Sequence, residues 1–258
     1  MSRTPIPLHA DLEAGLKRLK LSTIRRQAPD VLATAKAQRW APEEVLRNLV
    51  EAEIIARDAS NTRNRMTVAR FPVIKTLDEF NLAESSITRA SHDYLITLEW
   101  IHQAVNLCIV GPAGTGKSHY LIGLGTAAVT AGYKVRYFTA IDLVEHLYRA
   151  VADNTVGRAI EQICRNDVII IDEIGFAPLD HTGCQLLFRL VAAGYEHRSI
   201  AIGSHSPFEQ WGKFLPDQPT AVSLLDRLCH HAHIITTTGD SYRLTHRTTR
   251  KPPATGQP

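Results

Sequence analysis

Gly111-Pro112-Ala113-Gly114-Thr115-Gly116-Lys117-Ser118 carries the spacing G-x-x-x-x-G-K-[ST] in full. These residue types suit a phosphate chain. Glycines let the backbone turn tightly and approach a ligand with no Cβ in the way. Amide groups at the start of a helix add positive potential. In this spacing Lys117 is expected to reach the β- and γ-phosphates of ATP, and the Ser118 hydroxyl to sit on Mg²⁺. A second group lies downstream, where the apolar run Val168-Ile169-Ile170-Ile171 ends in Asp172-Glu173. Carboxylates at the C-terminal end of a buried strand stand where open α/β sheets bind ligands. Asp172 is expected to hold Mg²⁺ through water. Glu173 is expected to orient and polarise an attacking water as general base. The acid pair argues for hydrolysis more than for nucleotide binding alone.

Weaker candidates follow in the chain. The run Ser199-Ile200-Ala201-Ile202-Gly203 ends in Ser204 and His205, either of which could meet a γ-phosphate or the lytic water. Arg227 and Arg243 are of the type that stabilises charge on a transferring phosphoryl group, one within the subunit and one across an interface. His230, His231 and His233 look like a metal cluster. They straddle a helix end and a strand start with no Cys or carboxylate at suitable spacing, so zinc is not expected there.

These groups need elements to position them. From Asn106 the pattern alternates strand and helix, which predicts a parallel α/β sheet with helices on both faces. Strands are expected over 106–110, 134–139, 168–172, 200–204 and 233–237. Helices are expected over 117–131, 140–152, 156–165, 181–197, 207–214 and 220–230. Residues 1–70 read as a small helical domain. Its apolar supply is interrupted at Pro29, Pro42 stands at a first helical position, and Leu46, Leu49, Val50 and Ile54 form a stripe. Residues 71–105 read as a connector whose Phe71, Leu77 and Phe80 either pack near an adenine or fill an ordinary interface. The core spans 106–246, and the proline-containing tail 247–258 is expected to be disordered.

Composition narrows the class. Hydrophobic residues make up 44% of the 258-residue chain, enough for a core. No apolar run is long enough to span a membrane, and no secretory leader is recognised. The scattered Cys108, Cys164, Cys184 and Cys229 fit a reducing cytoplasm. Residues 1–75 hold 14 Lys+Arg against 8 Asp+Glu, and the remainder holds 15 against 18. A basic front on a slightly acidic body points to a polyanion, or else to a solvated helical face.

Several blocks together resemble the IstB family of insertion-sequence ATP-binding helpers, AAA+ ATPases close to the DnaC helicase loaders. They are Phe71-Pro72…Lys75-Thr76-Leu77, Gly111 to Ser118-His119, Asp172-Glu173, Ser206-Pro207-Phe208…Trp211-Gly212, Leu225-Asp226-Arg227-Leu228 and Gly239-Asp240-Ser241-Tyr242-Arg243. The resemblance implies an AAA+ P-loop fold. It implies Lys117 and Ser118 as the Walker A pair, with Gly111 to His119 around the nucleotide, and Asp172 and Glu173 as the Walker B pair. It also implies Arg227 as an arginine finger on a neighbour's ATP and Arg243 as a second sensor. Relatives often have Asn where this chain has His205, whose donor count depends on protonation. The resemblance further implies duplex-DNA binding with little sequence preference, ATP-dependent homo-oligomers and work with the transposase of the same element. The segment Ala140 to Arg165, with Arg149, Arg158 and Arg165, resembles a helical element turned towards DNA; two ordinary crossover helices are the alternative. The rival functions are loading of a replicative helicase and a metabolic P-loop kinase.

Overall fold

A computed structural model describes residues 7–242, so Arg243 and the tail 247–258 lie outside the described residues. The chain divides into two compact units, 1–64 and 65–258.

In the first unit, α1 (Ala10–Arg18) and α2 (Ser22–Gln38) precede α3, which starts at Pro42 and runs to Ala69 across the division. Pro29 does not interrupt α2. A proline removes one helical N–H and crowds the carbonyl four residues back. Here burial of Thr23, Ala28 and Ala35 holds the helix together on either side of it. The stripe expected on α3 is not core: Leu46, Val50 and Ile54 are 62%, 41% and 54% exposed. The inward residue is an acid. Buried Glu53 accepts from the backbone N–H of Thr23 at 2.8 Å and of Ile24 at 3.0 Å, and from Arg57 Nε at 3.0 Å. It thereby satisfies donors that the first turn of α2 leaves open. Burial pushes the Glu53 carboxyl up, but these hydrogen bonds and the Arg57 charge outweigh it and hold the group low.

The second unit is built on a parallel five-stranded sheet of order β2-β3-β4-β1-β5. Its strands are β1 (Asn106–Val110), β2 (Val135–Thr139), β3 (Val168–Ile174), β4 (Ser199–Ser204) and β5 (Ala232–Thr236). All five answer to expected strands, with β3 running on past 172. Side-chain alternation builds the two faces. Leu107, Ile109, Val168 and Ile170 point to one core, shared with α6 (Lys117–Thr130), α4 (Arg89–Ile96) and α5 (Glu99–His102). Cys108, Ile169, Ile171 and Ile202 point to the other, covered by α7 (Ala140–Ala152), α8 (Val156–Ile163), α9 (His181–Gly194) and α10 (Gln218–His230).

Two helices differ from expectation. Residues 207–214 form a 3₁₀ segment over Phe208–Lys213 rather than an α-helix. Helix α9 stops at Gly194 instead of 197, because Tyr195 takes extended angles and Glu196 turns left-handed at φ +58°. Helices α7 and α8 bury Leu143, Leu147, Ile160 and Ile163, as crossover helices do. Arg149 and Arg165 lie on their outer surface in i,i+4 pairs with Glu145 and Glu161. Among the described residues no helix is long and apolar enough to cross a membrane, and all four cysteines are free thiols.

Candidate nucleotide and metal site

The glycine loop leaves β1 and enters α6 between two neighbouring strands. Gly111 donates its N–H to Ser204 O at the end of β4 (3.0 Å). On the other side, Thr237 donates its N–H to Val110 O (2.7 Å), and its hydroxyl meets that of Thr115 at 2.8 Å. Gly111, Gly114 and Gly116 take φ of +144°, +86° and +88°, values that L side chains resist. A Cβ at Gly111 would also collide with the Thr237 carbonyl. Ser241 packs against Gly114, and Tyr242 donates its N–H to Gly114 O at 3.1 Å. Pro112 and Ala113 stand exposed at the tip.

Lys117 is buried at the first position of α6. Its Nζ donates to Gly111 O and Pro112 O, both at 2.6 Å. The ammonium is thus held over the loop by carbonyls that phosphate oxygens can replace. Ser118 follows in the first turn, half-buried. His119 faces the connector: its Nε2 lies 3.2 Å from Thr76 O and its ring 5.4 Å from that of Phe80.

The connector lies along α6, which offers it small residues. A Cβ at Gly116 would stand 2.9 Å from Phe80, one at Gly123 2.9 Å from Leu77, and one at Gly125 2.7 Å from Phe71. These three side chains therefore fill a groove on α6. Phe80 is the one nearest the loop.

Asp172 is 2% exposed and is held at both oxygens. Tyr137 on β2 donates its hydroxyl to Oδ2 at 3.1 Å, and the Glu173 N–H donates to Oδ1 at 2.9 Å. Burial, then the neighbouring Asp172 charge, pushes the Tyr137 phenol far up, so it remains a donor. Gly203 on β4 leaves room for the carboxylate, which a Cβ there would strike. Asp172 thus continues the α6 face of β3 past Gly203, whose strand partner is Ile109 of β1. Each carboxylate oxygen keeps a lone pair free. Ser118 and Asp172 offer oxygen donors only, the chemistry that suits Mg²⁺.

Glu173 is exposed and left-handed, with φ +60°. Such a conformation costs a residue with a Cβ about 1–2 kcal/mol. It coincides with a bulge: Ile171 pairs with Ile202 but Ile174 with Ser204, three steps on β3 against two on β4. The bulge turns the second acid out of the sheet while leaving the first buried. His205 is exposed at the neighbouring strand end, edge-on to Phe176 with ring centroids 6.5 Å apart. Ser204 is fully buried. Its hydroxyl donates to Ser206 O and accepts from Ser206 N, so it serves the turn instead of facing a ligand.

Arg227 is not brought to this cradle. It lies half-buried on α10, with Nη1 donating to Ser223 O at 3.1 Å and its guanidinium 4.9 Å over the Phe188 ring. The histidine group is rearranged as well. His233 turns in towards Tyr94, with ring centroids 5.3 Å apart. His230 and His231 stay exposed beside Glu196.

Tyr137, Gly203 and Thr237 are the parts of the site that sequence reading missed. Tyr137 and Gly203 come from strands, and Thr237 from just past the end of β5, other than the one carrying the motif each serves. Only a small residue immediately before the polar end of β4 points to one of them.

Comparison with known proteins agrees with this geometry. A family model described as IstB-like ATP binding protein matches residues 14–250. A protein of Geobacillus stearothermophilus, described as an ATP-binding protein of insertion sequence IS5376, is 34% identical over 88% of this chain and 91% of its own. One of Pseudomonas aeruginosa, described likewise for insertion sequence IS21, is 33% identical over 91% of this chain and 89% of its own. Among solved structures, that of DnaI superposes with a TM-score of 0.54 at 14% identity, over 67% of this chain and 94% of its own. That likeness shows the same fold in the second unit, a parallel sheet with a glycine loop entering a helix. With the glycine loop, the buried Asp172 and a match over most of its length, the chain belongs to the family of IstB-like ATP binding proteins.

Proposed function

We propose that this protein binds ATP with Mg²⁺, hydrolyses it, and uses the cycle to assemble on duplex DNA and assist the transposase of an insertion sequence. The observation that carries the reading is the loop Gly111–Ser118, held between β4 and β5 with Asp172 buried on the same side of the sheet. Loop amides and the start of α6 receive the phosphates. Lys117 exchanges its two loop carbonyls for β- and γ-phosphate oxygens. Ser118 and Asp172 hold Mg²⁺, which when bound neutralises charge on the phosphates. Glu173, turned out by the bulge, takes a proton from water as its oxygen bonds to the γ-phosphorus. The bond to the β–γ bridging oxygen breaks, and ADP leaves. His205 stands at the neighbouring strand end to donate to the γ-phosphate or the water.

Arg227 acts on a neighbouring subunit's ATP, and Arg243 completes the set as a second sensor. The basic residues of the first unit contact DNA phosphates without reading bases. The cytoplasm, where transposase and DNA meet, is the place of action.

The test is phosphate release by the full chain with Mg²⁺ and duplex DNA, beside sizing on DNA with a non-hydrolysable ATP analogue. Turnover and ATP-dependent assembly are expected, with DNA affinity falling steeply as salt rises. Transfer of the γ-phosphate to a small acceptor instead of water would overturn the reading in favour of a kinase. Co-purification with a replicative helicase instead of a transposase would overturn the assignment to transposition.

A further inference from the structure

At the opposite end of the sheet from the glycine loop, two turns meet. One links α9 to β4 and carries Tyr195 and Glu196; the other follows His230, the last residue of α10, and carries His231 into β5. One ligand atom from each of Glu196, His230 and His231 lies within 4.8 Å of the other two. His231 Nε2 and Glu196 Oε1 are 3.5 Å apart. Two ligands on one tetrahedral zinc ion stand about 3.3 Å apart, so this pair already has the required separation. His230 needs only a side-chain adjustment on an exposed surface.

A second feature supports the cluster. The Tyr195 hydroxyl lies 2.7 Å from His230 Nδ1. With Nδ1–H donating to the phenol oxygen, the ring is fixed and Nε2 carries the free lone pair for a metal, the arrangement that ligating histidines have. Glu196 also holds a left-handed φ of +58°, outside any helix, where it meets the histidines. His230 ends α10 and His231 caps it, at the negative end of the helix dipole, where a cation is favoured.

We infer that Glu196, His230 and His231 form a binding site for a divalent transition ion, of which Zn²⁺ is the type. Two imidazoles and one carboxylate are borderline ligands that suit Zn²⁺, Co²⁺ or Ni²⁺, not the oxygen-only coordination of Mg²⁺. The Glu196 and His231 side chains are 54% and 56% exposed, so water fills the remaining position. The ion ties the α9–β4 turn to the end of α10. It lies a strand length, about 15 Å, from the glycine loop. It is therefore distinct from the Mg²⁺ expected at Ser118 and Asp172. His233 takes no part.

The experiment titrates metal-free full-length protein with Zn²⁺ by calorimetry without nucleotide, so its result stands apart from the ATPase reading. One ion per chain is expected at this site. His230→Ala, His231→Ala and Glu196→Gln should each weaken it by about tenfold or more, and Tyr195→Phe by a smaller factor. His102→Ala, an exposed histidine elsewhere, should bind as wild type. Zn²⁺ should raise the melting temperature of the wild type and not of the His230→Ala/His231→Ala double variant. Absence of binding to the wild type, or equal binding by the double variant, would overturn the inference. Circular dichroism checks that the variants fold; all three side chains are on the surface.

Discussion

The phosphate cradle and the Arg227 face of α10 are built on opposite plans. In the cradle, nearly every group is held by another strand: Gly111 by Ser204, Thr115 by Thr237, Asp172 by Tyr137. Arg227 rests on its own helix and one aromatic ring. Among the described residues, these contacts of the cradle are all made within one chain. A guanidinium stacked on Phe188 keeps its charge accessible and its stem ordered, which suits a target outside the chain.

Breaking that contrast should give graded effects. Arg227→Ala is expected to cost the most turnover, about a thousandfold if it meets the γ-phosphate of a neighbour. Mixing it with Lys117→Ala should restore part of the activity, since each supplies what the other lacks. Mixtures as inactive as their components would place Arg227 outside the shared site. Glu173→Gln should lose at least about a hundredfold in turnover while keeping ATP affinity and lingering on DNA. Wild-type phosphate release by that variant would remove Glu173 as the base.

Lys117→Ala should weaken ATP binding by about tenfold to a hundredfold, read by fluorescent-nucleotide titration. Unchanged affinity would mean that the loop does not hold the phosphates. Tyr137→Phe sharpens the comparison at the small end. Loss of one hydrogen bond, about 1 kcal/mol, should raise the Mg²⁺ concentration for half-maximal turnover about fivefold with little change in ATP affinity. A fall in maximal rate with unchanged Mg²⁺ dependence would contradict the positioning role.

Much of this was legible in the chain, for a local reason. The loop motif and the apolar run before Asp172 are contiguous, and the strand–helix alternation around them survives in the fold. What was missed is held by contacts distant in sequence. Tyr137 reaches Asp172 across 35 residues, and the Glu196 that joins His230 and His231 comes from another turn. The interruption expected at Pro29 does not occur in α2, because burial of Thr23, Ala28 and Ala35 on either side outweighs local propensity. The stripe at Leu46, Val50 and Ile54 has the periodicity of a core face, yet within one chain it meets solvent. Periodicity reports that a face is apolar, not what covers it.

The contacts of Thr237, Ser241 and Tyr242 with the glycine loop also set an order of events during synthesis. Thr115 emerges from the ribosome 122 residues before the Thr237 hydroxyl that it meets. A nascent chain that ends in β5 has the loop, the buried Asp172 and both faces of the sheet, but not the residues beyond β5 that brace the loop. Among the described residues, the contacts from Thr237, Ser241 and Tyr242 are thus the last to reach the loop. Until residues 237–242 have been translated, the glycine loop stands without these contacts.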